Sequence, residues 1–110
     1  MNKEFMLKLV EMAMNENGEC SSKSGYEKYN GKNVLIRTVT HHYSGNVISV
    51  DNLTLTMKDA AWIADDGRFN ESLRDPDNFN EVEPYLNDVT INLYSILDIT
   101  EIPKVITKVK

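Results

Sequence analysis

The chain opens with a helical pattern of hydrophobic positions. Over residues 3–15 apolar side chains recur at spacings of three and four, and neither glycine nor proline interrupts them. This spacing predicts an amphipathic α-helix, which would either cover an open end of the core or bind a partner through its methionines. Residues 16–32 are rich in Gly, Ser, Asn and Lys, and we expect a linker there, with Tyr26 and Tyr29 as anchors.

From residue 33 onward the hydrophobic pattern is that of short β-strands. Residues 34–43 are dense in β-branched side chains, and the Ser-Gly-Asn segment at residues 44–46 separates them from a strand predicted over residues 47–50. The glycine in this segment indicates either a turn or a sharply bent strand.

Two further segments have strand patterns. After the turn signal Asp51-Asn52, apolar and polar side chains alternate over residues 53–58, which indicates one buried face and one polar face. Residues 89–102 return to strand chemistry until Pro103 stops the run, and they predict two short strands. Five short strands after one helix are typical of a small barrel.

A long segment separates these strands. Residues 61–88 contain an Asp-Asp-Gly break, a short helical pattern at residues 68–74 and an acidic loop with proline and asparagine. We therefore expect a helical insertion over residues 61–88 in a barrel that spans residues 33–102. Residues 103–110 form a weakly basic tail, for which a solvated end is expected.

Composition places the chain among single-domain globular proteins. Its 110 residues are 41% hydrophobic and 26% charged, and no apolar run approaches the roughly 18 residues that cross a bilayer. Lys8 and Glu11 interrupt the early apolar run, so we expect no signal peptide, no membrane partner and a cytosolic location. The single cysteine, Cys20, excludes an internal disulfide framework. The net charge of −5 disfavours nucleic-acid binding by general phosphate neutralisation.

Two segments carry a resemblance to the Sm-like family. GNVISVDNLTLTMKDA at residues 45–60 resembles the first Sm signature, and VTINLYSILDITEI at residues 89–102 resembles the second. The resemblance implies a mainly β protein with an N-terminal α-helix and a strongly bent, SH3-type five-stranded barrel. It does not extend to the RNA contacts of Sm proteins, because Thr54 replaces their base-contacting asparagine and Asn92-Leu93 replaces their Arg-Gly pair.

A second resemblance covers residues 32–101 through the segments RTVTHHYSGNVISV, DAAWIADDGRF, EVEP and ILDITE. These segments are similar to a family of small uncharacterised proteins encoded by bacteriophages and prophages. The resemblance implies a phage origin and the cytosol of a bacterial host, and it implies no mechanism.

The sequence contains no catalytic or cofactor motif of the kinds that bind phosphates, activate a nucleophile or hold a dinucleotide. We therefore expect no enzyme, no cofactor and no metal site. His41-His42 cannot chelate one ion together on a strand, since adjacent residues point to opposite faces. The acids Asp59, Asp65 and Asp66 would fit a phosphodiesterase only with a nucleophile that the sequence does not supply.

The candidate ligand-binding residues lie in two stretches, one near residues 37–43 and one near residues 62–68. Arg37 and Arg68 are suited to bidentate phosphate binding. For Trp62 a buried core position is the default expectation, and base stacking or an interface is the alternative. The full predicted set is Arg37, Thr38, Thr40, His42, Tyr43, Trp62, Asp65 and Arg68.

These features favour a non-enzymatic homo-oligomer that binds a small anionic ligand, such as a nucleotide, at subunit boundaries. A phage protein of this kind could sequester a nucleotide signal of a host defence system. Two alternatives stay open. One is a single-stranded RNA-binding ring, which the fold alone suggests, and the other is a structural or protein-interaction module that uses the helix over residues 3–15.

Overall fold

The computed structural model describes residues 24–110. The predicted helix over residues 3–15 and the first part of the predicted linker lie outside the described residues. The rest of the linker contains a short 3-10 helix, Glu27–Tyr29, and the N–H groups just before it donate to the carboxylate of its first residue. Tyr26 and Tyr29 pack against the apolar core, so this part of the linker is anchored as expected.

Six antiparallel strands and one short α-helix form the described fold. Their bounds are β1 Asn33–Thr38, β2 His42–Val50, β3 Thr54–Asp65, α1 Phe69–Arg74, β4 Glu81–Pro84, β5 Val89–Asn92 and β6 Ile96–Glu101. The strand order is β4, β3, β2, β1, β6, and β5 pairs with the first half of β3 while β4 pairs with its second half. The structure therefore has one strand more than the five that were predicted. No helix within residues 24–110 has the length and apolar character needed to span a bilayer.

The first hairpin turns earlier than the sequence predicted. The expected strand over residues 34–43 is interrupted after Thr38, and β2 starts at His42. The Thr38 backbone N–H and hydroxyl both donate to the His41 carbonyl, over 2.8 Å and 2.9 Å, and the His41 N–H donates back to the hydroxyl over 3.0 Å. These bonds satisfy the polar groups of the turn, so a β-branched run can reverse direction here.

Gly45 lies inside β2, where the strand passes close to β3. A Cβ at this position would lie 2.8 Å from the sulfur and 2.9 Å from the Cβ of Met57. The register of the β2–β3 ladder also shifts between Ser44 and Asn46. The glycine therefore permits a close approach in a bent strand, and it is not the turn residue of the hairpin.

Two apolar cores lie against the sheet. The barrel core contains Val34, Ile36, Val47, Leu55, Met57, Ala60, Ile91 and Leu93. The outer core contains Leu35, Ala61, Ile63, Phe79, Val82 and Ile102, with Phe69, Leu73 and Ile106 packed at its margin. Because side chains alternate along a strand, β1 sends Val34 and Ile36 to one core and Leu35 to the other.

The insertion predicted over residues 61–88 is smaller than expected. Residues 61–65 continue β3, and residues 81–84 return as β4 beside them. Ala61 and Ile63 are buried against Phe79 and Val82, so this part of the chain belongs to the sheet. The helical element predicted within the insertion is confirmed as α1, which lies in the connection between β3 and β4.

The tail over residues 103–110 is docked onto the sheet, in contrast to the solvated end that was expected. Lys110 exchanges two backbone hydrogen bonds of 3.0 Å with Val82 and thereby covers the outer edge of β4. Ile106 packs against the outer core, and Lys104 forms ion pairs with Asp75, at 3.5 Å, and with Asp77. The apolar residues between the lysines explain the docking, since they bury surface that a purely basic tail would not.

We expect Gly45→Ala to lower the free energy of unfolding by about 1–3 kcal/mol, because the added methyl group overlaps Met57. Ser44→Ala, one residue earlier, is the matched control: the buried Ser44 hydroxyl has no hydrogen-bond partner among the described residues, so its removal should cost little. Urea unfolding of the two variants measures the difference. Equal stability of Gly45→Ala and Ser44→Ala would contradict the close approach.

Candidate functional site

Half of the predicted ligand-binding residues line one open cleft at the end of β3. This Trp62 cleft has a volume of about 440 Å³ and is lined by Thr40, His42, Trp62, Ile63, Ala64, Asp65, Asp66 and Gly67. Tyr43 lies beside it as the cross-strand partner of Trp62. The two stretches chosen from the sequence therefore meet in space, because β2 and β3 pair antiparallel.

His42 and Asp66 form the central polar pair of the cleft. His42 Nδ1 lies 2.8 Å from Asp66 Oδ2, while Asp66 Oδ1 is buried and has no partner among the described residues. The Ser72 hydroxyl in α1 donates to the Asp66 carbonyl over 2.5 Å, which ties the cleft to the helix. Asp66, which the sequence reasoning did not select, is thus more central than Asp65.

Asp65 has a local structural role. Its Oδ1 accepts the Gly67 N–H over 2.9 Å and closes the turn after β3. Gly67 has a φ of 66°, and a Cβ there would lie 2.7 Å from the Asn78 carbonyl oxygen. The carboxylate nevertheless lines the cleft and contributes negative charge to it.

Arg37 is held by the protein itself. Its Nε lies 2.8 Å and 2.9 Å from the two carboxylate oxygens of Asp98, the cross-strand neighbour on β6, and Nη2 contacts the same group. The guanidinium carbon lies 4.9 Å from the centre of the Phe69 ring. Hydrogen bonding by Arg37 lowers the pKa of Asp98 below its ordinary value and raises the pKa of the guanidinium. The predicted phosphate fork is thus already occupied by a carboxylate.

The remaining predicted residues have separate positions. Thr38 closes the β1–β2 turn, and the Thr40 hydroxyl lies 2.8 Å from His41 Nδ1 at the rim of the cleft. Arg68 is exposed immediately before α1 and forms no ion pair within residues 24–110. No group of three or more His, Cys, Asp or Glu side chains in this part of the chain is arranged to hold a metal ion.

An aromatic row continues from the cleft across the sheet. The His41 ring centre lies 5.8 Å from that of Tyr43 and 5.7 Å from that of Trp62, and the Tyr43 ring centre lies 6.1 Å from that of Tyr85. Sequence reasoning missed His41 and Tyr85. The spacing of two between His41 and Tyr43 was a usable signal, whereas Tyr85 is placed by a backbone bond from its N–H to the Ala60 carbonyl, which no local pattern predicts.

A second group of side chains, of which Asn52, Leu53 and Tyr94 are exposed, lies at the opposite end of β3. The Leu93 N–H donates to the Leu53 carbonyl over 2.9 Å and joins the β2–β3 turn to the 3-10 helix Leu93–Ser95. We call the residues around this junction the turn cluster: Ser24, Tyr26, Asn52, Leu53, Leu93 and Tyr94. All except Leu53 line a pocket of about 320 Å³. Tyr94 is 85% exposed and Leu53 is 55% exposed.

Polar side chains inside these turns stabilise them by hydrogen bonds to the turn backbone. The Asp51 carboxylate accepts the N–H groups of Leu53 and Thr54, each over 2.7 Å, and the Thr54 hydroxyl over 3.0 Å. Asn92 Oδ1 accepts the Tyr94 N–H over 2.9 Å. Thr54 and Asn92 are therefore engaged internally, and Asn52 and Tyr94 are exposed.

The comparison with solved structures supports the fold. No protein-family model matches the chain, and no curated protein matches it. Among solved structures the chain is similar to a heptameric archaeal Sm protein, with 21% identity, a TM-score of 0.53, and coverage of 73% of this chain and 98% of that one. The Sm-like fold expected from the two signature segments is thereby confirmed, whereas the phage origin stays a prediction from sequence resemblance.

We expect Arg37→Ala to raise the pKa of Asp98 toward the ordinary value of an aspartate, since the main hydrogen-bond donor is lost. A depressed pKa means that the pair stabilises the protein at neutral pH and that this contribution is lost as the pH falls through the pKa of Asp98. Carboxyl-carbon NMR titration measures the shift. The pKa of Asp51, lowered mainly by the Leu53 N–H, is the control and should not move. An unshifted Asp98 in the unsubstituted protein would contradict the ion pair.

Proposed function

We propose that the protein is an oligomeric Sm-like module that binds single-stranded RNA through the turn cluster. The observation that carries this proposal is the pocket between the two joined turns of an Sm-like fold, which is lined by the exposed side chains of Tyr94 and Asn52. The similar archaeal Sm protein is a heptamer, which supports the oligomeric part of the proposal.

Stacking is the main interaction proposed for RNA. Tyr94 offers an exposed ring, Tyr26 lines the same pocket, and the Asn52 amide provides a donor and an acceptor for a base edge. Stacking of a base on an aromatic side chain contributes about 1–3 kcal/mol and tolerates any base. The site would therefore prefer unpaired bases over a duplex, whose bases are already stacked.

Charge sets the expected strength of RNA binding. The chain has a net charge of −5, and the cation nearest in sequence to Tyr26 is Lys28. With few phosphate contacts, the affinity of one subunit should be low and should fall only gently with added salt. Several linked subunits would compensate, because a strand held at one pocket is presented to the next at high effective concentration.

Two open strand edges support assembly into an oligomer. In residues 24–110, β6 pairs only with β1 and β5 pairs only with β3, while Lys110 covers the outer edge of β4. An unpaired strand edge is a template for pairing with another chain. Pairing of β5 in one copy with β6 in the next is head-to-tail, and such contacts generate a ring when the rotation closes.

Binding of a small anionic ligand has less support at the Trp62 cleft. Asp65 and Asp66 line the cleft, and Arg37, the expected phosphate ligand, is bonded to Asp98. Sequestration of a nucleotide signal therefore stays a prediction from the phage resemblance.

We expect Tyr94→Ala to weaken binding of a fluorescein-labelled oligouridine by at least tenfold, because about 1.4 kcal/mol of stacking corresponds to a factor of ten. Tyr94→Phe retains the ring and should bind as the unsubstituted protein does. Tyr85→Ala removes a tyrosine from the far end of the sheet and is the matched control. Fluorescence anisotropy measures the affinities. No RNA binding by the unsubstituted protein, or equal affinity for Tyr94→Ala, would refute the proposal.

Leu97→Asp is expected to convert the oligomer to monomers. Leu97 is 67% exposed on β6, and a charge there would have to be desolvated when two edges pair. Ile48→Asp places the same charge on the exposed face of β2, an interior strand, and should leave the assembly intact. Native mass spectrometry at micromolar protein gives the subunit number directly. A monomeric unsubstituted protein would rule out the ring.

A further inference from the structure

We infer that the Trp62 cleft, with the aromatic row beside it, binds an arginine side chain of a protein partner. This site is at the other end of β3 from the turn cluster and has no part in the proposed RNA binding. The inference rests on the exposed rings, on the surplus of carboxylates around them, and on an arginine of this chain that already occupies a similar environment.

The aromatic row presents rings that the cores do not bury. Trp62 is 39% exposed and Tyr85 is 41% exposed, and neither belongs to the barrel core or to the outer core. Tryptophan, tyrosine and arginine dominate the binding energy of protein interfaces. A sheet face that exposes the chain's single tryptophan beside a cleft therefore has the composition of a contact surface.

The charges around the row favour a cation. Asp65 and Asp66 line the cleft, and Glu83 is the neighbour of Trp62 on β4. Asp66 Oδ1 is buried without a partner in the described part of the chain, so His42 satisfies this carboxylate at one oxygen only. Buried or half-buried carboxylates favour a compensating positive charge nearby, and they disfavour a phosphate chain.

The arginine and histidine side chains near the cleft leave most of this surplus in place. Arg37 is hydrogen-bonded to Asp98 and also interacts electrostatically with Asp66, so its charge is shared between the two carboxylates. His42 is hydrogen-bonded to Asp66 and is one-third exposed. Arg68 follows Gly67 and is exposed to solvent, outside the set of residues that line the cleft. Within residues 24–110, Asp65 and Glu83 thus form no ion pair, and Asp66 has only the contact with His42 and the longer-range interaction with Arg37.

Arg37 shows how this chain accommodates a guanidinium. It lies over the Phe69 ring at 4.9 Å, and its Nε and Nη2 contact the two carboxylate oxygens of Asp98. The cleft offers the same two components, an aromatic ring and a carboxylate, with indole in place of phenyl. Indole is the best ring for a cation, and a planar guanidinium stacks on rings and pairs with carboxylates better than an ammonium does.

Trp62 makes the site directly measurable. Because it is the only tryptophan, its fluorescence reports occupancy of the cleft without a label. The probes are three blocked peptides of identical length that carry two arginines, two citrullines or two lysines at the same positions. Citrulline matches arginine in shape and lacks its charge. We expect the arginine peptide to change the Trp62 emission with an affinity at least tenfold higher than the citrulline peptide, and the lysine peptide to lie between them.

Two substitutions locate the peptide at the Trp62 cleft. Glu83→Gln removes a charge from an exposed side chain and should weaken the arginine peptide several-fold without affecting stability. Tyr94→Ala should leave peptide binding unchanged, so failure of the RNA proposal and failure of this one are distinguishable. Equal response to the arginine and citrulline peptides, no response at millimolar peptide, or quenching of Trp62 by oligouridine in place of the peptide would each overturn the inference.

Discussion

Burial of β1 on both faces is the constraint on which the rest of the fold depends. Val34 and Ile36 face the barrel core, whereas Leu35 faces the outer core. A strand buried on both faces must have apolar cover on each side, because an uncovered face would expose its large apolar side chains to water. The curved sheet covers one side, and the β3–β4 connection and the tail cover the other. The connection between β3 and β4 is therefore an essential layer of the fold, although a minimal barrel would not need it.

The extension of β3 follows from the same constraint. Its first half pairs with β5 and closes the barrel core, and its second half pairs with β4 and supports the outer core. One strand of 12 residues thus runs through both cores, with a turn junction at one end and a cleft at the other. At about 3.3 Å per residue, the two ends are separated by up to roughly 36 Å. That separation allows two surfaces of different chemical character on a small protein.

Turn chemistry decides which polar side chains remain available for ligands. The side-chain oxygens of Thr38, Asp51 and Asn92 each accept hydrogen bonds from backbone N–H groups of their own turns. Backbone N–H groups need hydrogen-bond partners where the chain leaves the sheet. Polar side chains that could bind a ligand therefore stabilise the turns. Other side chains and backbone groups supply the hydrogen bonds of the turns and strands that carry Tyr94, Asn52 and Trp62. These three side chains are therefore exposed.

The sequence alone determined the elements whose signal is local. Alternation over residues 53–58 and the strand chemistry of residues 89–102 predicted strands that are present, and the two signature segments predicted an Sm-like fold that the structural comparison supports. It also named His42 and Trp62 as candidates, one on the first predicted strand and the other in the predicted insertion, and only the tertiary structure placed them on paired strands. Only the tertiary structure decided that residues 61–65 extend β3, that the tail docks on β4, and that Arg37 is bonded to Asp98. Each of those outcomes depends on a partner distant in sequence, Phe79 for Ile63, Val82 for Lys110 and Asp98 for Arg37, and no periodicity or composition within one segment specifies such a partner.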